Sequence, residues 1–122
     1  MAEHNDTGRW GEEVAVEFLV KKGYGIVERN WRMKPYEVDI IAMKGNRIIF
    51  VEVKTRTCLV ADPFEHVDRK KMNNLARSAH AYVNHYDIPH EVQFDLIAVM
   101  GNPADYSVYH ADDAFTVPMR SY

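Results

Sequence analysis

An α/β fold, a mixed β-sheet flanked by helices in the order αβββαββ, is predicted by three features of the sequence. Two long segments carry apolar residues at helical spacing, and short apolar runs of strand length lie around them. Gly, Asn and Pro punctuate the boundaries, most clearly at Gly23, Gly45-Asn46 and Asp62-Pro63. The alternation of helical and strand segments calls for a sheet covered by helices. With 122 residues, 47% hydrophobic and 27% charged, the chain has the size and balance of one globular domain spanning 1–122.

The first helix is expected from about Thr7 to Lys22, capped by Asn5, Asp6 or Thr7 and ended by Gly23. Strands follow at about Gly25–Asn30, Tyr36–Met43 and Arg47–Thr55, the last two joined by a Gly45-Asn46 turn. A second helix is expected near Glu65–His85, with Leu75, Ala76, Ala79, Tyr82 and Val83 as its core-facing stripe. Val92–Met100 reads as a buried strand and Tyr106–His110 as a short edge strand. Neither repeats nor a linker divide the chain. No run approaches the roughly 18 apolar residues of a membrane helix, and acids take the place of an apolar signal region near the N-terminus. The single Cys58 leaves no disulfide within the chain. These features predict a cytoplasmic protein with no membrane partner.

The net charge of −3 hides an uneven distribution. Residues 21–56 hold nine basic side chains against four acids, whereas acids predominate on both sides of that block. A basic middle third suits a nucleic-acid partner, with Arg29, Arg32, Lys34 and Arg56 as candidate phosphate contacts. A solvated surface is the alternative.

Within that block, the stretch FVEVKTR spends two positions of an apolar strand on Glu52 and Lys54. Charges are seldom buried unless paired or coordinating. If Gly45-Asn46 is a two-residue hairpin loop, Lys44 pairs with Arg47, Asp39 faces Glu52 and Glu37 faces Lys54. Side-chain alternation then puts all four charges on one face, expected to be the face toward the first helix. Directly opposed Cβ atoms are about 4.5–5.5 Å apart, so two carboxylates there need a shared proton or a cation. On the first helix Glu12 falls in the apolar stripe between Leu19 and Val16, apart from the polar sector of Glu13, Glu17 and Lys21. A helix-dipole acid is the alternative for Glu12. Asp39, Glu52 and Glu12 are therefore candidate ligands of Mg²⁺ or Mn²⁺. Lys54 is the candidate that orients water or offsets charge on a scissile phosphate. The alternative is a hairpin held by a Glu37–Lys54 salt bridge, with Asp39 and Glu52 merely polar.

The segments GRWGEEVAVEFL (Gly8–Leu19), RNWR (Arg29–Arg32), EVDIIA (Glu37–Ala42), FVEVKTR (Phe50–Arg56) and QFDLIAV (Gln93–Val99) resemble the YraN-like family of uncharacterised endonuclease-like proteins. The resemblance runs from about Asn5 to Met100 and implies the PD-(D/E)XK nuclease superfamily, with a restriction-endonuclease-like core similar to that of archaeal Holliday-junction resolvases. It implies catalytic roles for Asp39, Glu52 and Lys54, with Glu12 as the supporting helix carboxylate. Tyr36 stands where the family usually has Gly, and Pro35 precedes it, which makes the entry to that strand bulkier. By analogy with the resolvases, a homodimer is expected.

Other positions carry weaker signals. Asp95 is expected as a strand-end acid capping a loop, with a further metal ligand as the alternative; Arg69, Lys70 and Lys71 as a solvated helix face, with phosphate contacts as the alternative; and Trp31 as a core residue, with base stacking as the alternative. His80 and His85 lack a ligand spacing. The expected activity is metal-dependent phosphodiester hydrolysis in DNA. Its rival is a non-catalytic nucleic-acid-binding module of a larger processing complex.

Overall fold

A computed structural model describes residues 2–57, 61–65 and 67–116, with only the backbone given for residues 2–7. Cys58 lies outside the described residues. The elements run α1 (Ala2–Lys21), β1 (Gly25–Met33), β2 (Tyr36–Lys44), β3 (Arg47–Arg56), α2 (Arg69–Tyr86), β4 (Glu91–Asn102) and β5 (Asp105–Ala111). This is the expected αβββαββ order. α1 is already helical at Ala2, so Asn5, Asp6 and Thr7 lie inside the helix rather than capping it. The cap of α2 is Asp68, whose carboxylate accepts from the Lys71 backbone N–H at 3.0 Å, and this starts the helix later than Glu65.

The five strands lie in chain order, β1-β2-β3-β4-β5. Only β3 and β4 pair in parallel, because α2 carries the chain across the sheet between them. Gly45 takes φ 59° in the β2–β3 turn and Lys44 pairs with Arg47, as a tight hairpin requires. α1 packs Val14, Ala15 and Leu19 on one sheet face against Ile40, Ala42, Ile49, Val51, Ile97 and Val99. α2 packs Leu75, Ala76, Ala79 and Tyr82 on the other face against Ile41, Ile48, Phe50 and Phe94. Each helix thus buries its apolar stripe on a different side of one sheet. Trp31 is buried in the α2-side core, its ring edge-on to Tyr82 at 5.1 Å. Among the described residues, no helix is long and apolar enough to cross a membrane.

Gly11 lets α1 come down onto β3. A Cβ at position 11 would overlap Thr55 Oγ1 and lie 3.0 Å from Thr55 Cβ, an atom the backbone holds in place. Gly11→Ala is therefore expected to cost about 1–3 kcal/mol, as overpacking does. Urea unfolding checks this, and Thr55→Ala in the same chain should recover only part of the loss, since the Thr55 Cβ contact persists.

Candidate active site

The site is built where the β2–β3 hairpin comes apart. The two strands pair from Lys44–Arg47 to Ile40–Val51, the expected register, and the ladder stops one residue short of Asp39 and Glu52. Asp39 Oδ2 accepts from the Val53 backbone N–H at 2.8 Å, so a side chain takes the place of a ladder carbonyl. The pleat is irregular here: Val38 packs in the α2-side core and Ile40, two residues on, in the α1-side core. Asp39 and Glu52 thus stand at the mouth of a fork rather than across an intact ladder.

The faces differ from the expectation. Ile49 and Val51 pack beneath α1 with Val53 beside them, so Glu52 and Lys54, alternating with them along β3, face α2 and not α1. The reason is register: residues 48 and 50 belong to the α2-side core, and 52 and 54 must follow them. Lys71, in the first turn of α2, reaches this face beside Lys54, and its charge opposes the rise that burial imposes on Glu52. Glu37 does not meet Lys54. It pairs instead with Arg32 across the β1–β2 ladder, at 3.6 Å.

Glu12 reaches the fork from the other side. Its Oε1 accepts from Asn30 Nδ2 at 2.8 Å, and Asn30 adopts φ 52°, a left-handed conformation that Asn tolerates better than most residues. Glu12 is half-buried, on the side of α1 that also carries Ala15, Val16 and Leu19. Among the described residues, no group of three or more His, Cys, Asp and Glu side chains is arranged to hold a metal ion. The Asp39–Glu52 pair nevertheless suits a hard cation, since Mg²⁺ is commonly bound through one or two carboxylates together with waters and phosphate oxygens.

The electrostatics of the fork disfavour two negative charges. Burial first, and then the Glu52 charge, push Asp39 up to about 7, against which the Val53 N–H works. Burial also raises Glu52, and the charges of Lys54 and Lys71 partly offset it. Glu12 is raised by burial too, with the Asn30 bond opposing. Burial, followed by the Lys71 contact, lowers Lys54.

A pH dependence follows. Asp39 holds its proton in the folded chain to about pH 7, whereas in the unfolded chain it releases it near pH ~3.9. Its contribution to stability is full below the unfolded value and is lost as pH rises toward the folded one. Without divalent cations, wild type should lose stability across that window while Asp39→Asn does not, giving the variant a higher Tm at neutral pH. Mn²⁺ should raise the wild-type Tm by mass action and the variant's less. Tm against pH, with EDTA or Mn²⁺, checks both; parallel curves would place the ion and the titration elsewhere.

Of the candidate phosphate contacts, Arg29 is tied to Glu13 at 2.7 Å and Arg32 to Glu37. Arg56 donates from Nε to the Pro63 carbonyl at 3.4 Å, and its Nη2 is buried without a hydrogen-bond partner among the described residues. Lys34 is exposed in the β1–β2 turn. That turn, the first half of α2 and Glu52 enclose a cleft of about 410 Å³ whose lining includes Lys71 and Arg77. Lys71 was expected on a solvated face, with a phosphate contact as the alternative. The signal for it is the spacing of Lys71, Asn74, Leu75 and Ser78, which places all four on one side of α2.

Asp95 is not a strand-end cap. It lies inside β4, fully buried, and its carboxylate accepts from Tyr24 Oη at 2.7 Å, Gln93 Nε2 at 2.8 Å and the Asp113 N–H at 2.9 Å. The fourth contact is His110 Nε2 at 2.8 Å, with His110 Nδ1 2.7 Å from Lys22 Nζ. A neutral ring protonated at Nε2 satisfies both contacts. The network faces α1, on the side of the sheet away from Glu52, since Ile97 and Val99 continue its face of β4.

Residues 11–99 match a family profile described as "Uncharacterised protein family UPF0102". A UPF0102 protein of Flavobacterium psychrophilum is 44% identical over 116 residues, covering 94% of this chain and 98% of the relative. One from Bacteroides thetaiotaomicron is 43% identical over 120 residues, covering 98% and 99%. One from Christiangramia forsetii is 45% identical over 116 residues, covering 94% and 98%. With the match spanning the α1 carboxylate, the hairpin fork and β4, the chain belongs to the UPF0102 family, the YraN-like family whose motifs it carries.

Proposed function

We propose that this protein is a divalent-metal-dependent endonuclease that hydrolyses phosphodiester bonds in DNA, acting in the cytoplasm. The observation that carries the reading is the fork itself: two carboxylates, Asp39 and Glu52, at the end of a hairpin ladder, with Lys54 and Lys71 beside them. A bound Mg²⁺ or Mn²⁺ would neutralise the developing phosphate charge and acidify a water. Asp39 and Glu52 would hold the ion, and the Val53 N–H would fix the Asp39 carboxylate. Lys54 would orient the attacking water and oppose charge on the phosphate oxygens. Glu12, braced by Asn30, would add negative charge on the α1 side and tighten ion binding. Lys34 at the rim would hold the backbone.

Incubation of the purified protein with single-stranded, duplex, flapped and four-way DNA, and with RNA, each with Mn²⁺ or EDTA, tests the reading. Metal-dependent cutting of DNA is the expected result. Binding of DNA without cutting of any substrate would replace it with a non-catalytic binding module, a reading favoured by the engagement of Glu12 with Asn30 in place of a three-carboxylate group.

A further inference from the structure

From the cleft beside Glu52, we infer that this site takes an unpaired nucleotide next to the scissile phosphate, so that its substrate is single-stranded or splayed DNA rather than continuous duplex. The inference rests on the nuclease reading for the word scissile, and on the cleft alone for the nucleotide. Three features carry it.

The first is shape. The cleft, about 410 Å³, has Pro35 of the β1–β2 turn and Tyr36 at the start of β2 on one side and α2 on the other. That volume falls within the roughly 300–1,000 Å³ of pockets that enclose a small ligand. A base inside a duplex offers only its groove edge and cannot pass between a turn and a helix. A base out of its stack can.

The second is chemistry. Tyr36 is half-buried and packs against the α2-side core, which holds its ring in place as a stacking surface. Asn74 in the lining supplies both a donor and an acceptor for a base edge. Lys71 and Arg77 supply cations for the phosphates on either side of the nucleotide.

The third is position. Glu52 belongs both to the fork and to the cleft lining, so a base seated against Tyr36 keeps its own phosphate within the site. Unstacking is least costly where the nucleotide is already unpaired, which gives the cleft its preference.

Fluorescence anisotropy in EDTA, where no cutting occurs, compares a short labelled oligothymidylate with a hairpin duplex of the same length. The single strand should bind about tenfold or more tightly, the size of one base–aromatic stacking contact. Tyr36→Ala should remove that preference while leaving duplex binding unchanged. Asn74→Met, at an exposed helix position, narrows the cleft without adding an aromatic face and should do the same. Equal binding of strand and duplex by the wild type, or a preference that survives both variants, overturns the inference. Cleavage of DNA with no preference for unpaired substrate sinks the cleft and leaves the nuclease. A preference lost in both variants, in a protein that cuts nothing, leaves the cleft and sinks the nuclease.

Discussion

Lys54→Ala is expected to lower the rate of DNA cleavage by about 10²-fold or more while changing DNA affinity little. Lys54 shares the α2-facing side of β3 with Glu52 and lies beside Lys71. An ammonium is a poor metal ligand, so the Mn²⁺-induced gain in Tm should survive the substitution. What disappears is a charge that matters when the phosphate oxygens become more negative, and such a loss lowers turnover more than ground-state binding. Lys34→Ala should do the reverse, weakening binding in a salt-dependent way with a smaller effect at saturating substrate. Single-turnover rates and binding curves separate the two. If Lys54→Ala weakens binding as much as Lys34→Ala and leaves cleavage at saturation intact, Lys54 is one more phosphate contact.

The largest loss of stability is expected at Asp95. Replacing it by Ala strips one acceptor from four donors, Tyr24, Gln93, His110 and the Asp113 N–H, in a site without water access. Breaking such a buried charged network costs about 3–5 kcal/mol, a fall in Tm of roughly 10–30 °C. Burial alone would raise the Asp95 pKa, but the bond from His110 and then the others reverse this and hold it below the usual carboxylate value. The sign of the linkage is therefore opposite to that of Asp39: the stabilisation is present above the unfolded pKa and is lost as pH falls through the folded one. Wild type should lose stability in acid more steeply than Asp95→Ala. Thermal unfolding across the acid range checks both, and a variant within a few degrees of wild type would show that the network contributes little.

Several parts of this protein were legible from residue order because they are local. The Gly45-Asn46 turn set the hairpin register by counting, and period-2 alternation along β3 then tied Glu52 and Lys54 to one face. The apolar stripe of α2 followed from helical spacing, whereas its start, expected near Glu65, lies at Arg69 because Asp68 supplies the cap.

What residue order could not decide was which face was which. Alternation says that Glu52 lies opposite Val51 and Val53, but whether α1 or α2 covers that face depends on the hand of the crossover and on which helix buries which stripe. The tertiary structure assigned Glu52 and Lys54 to α2, brought Lys71 to them from a segment some seventeen residues further on, and enclosed the cleft. It also turned Asp95 from an expected loop cap into the centre of a buried network, because His110 and Asp113 come from the far side of a hairpin that no local pattern links to it. The family motifs and the strand register are properties of short stretches of chain. The environment of each charged side chain depends on neighbours distant in sequence, and only packing brings those together.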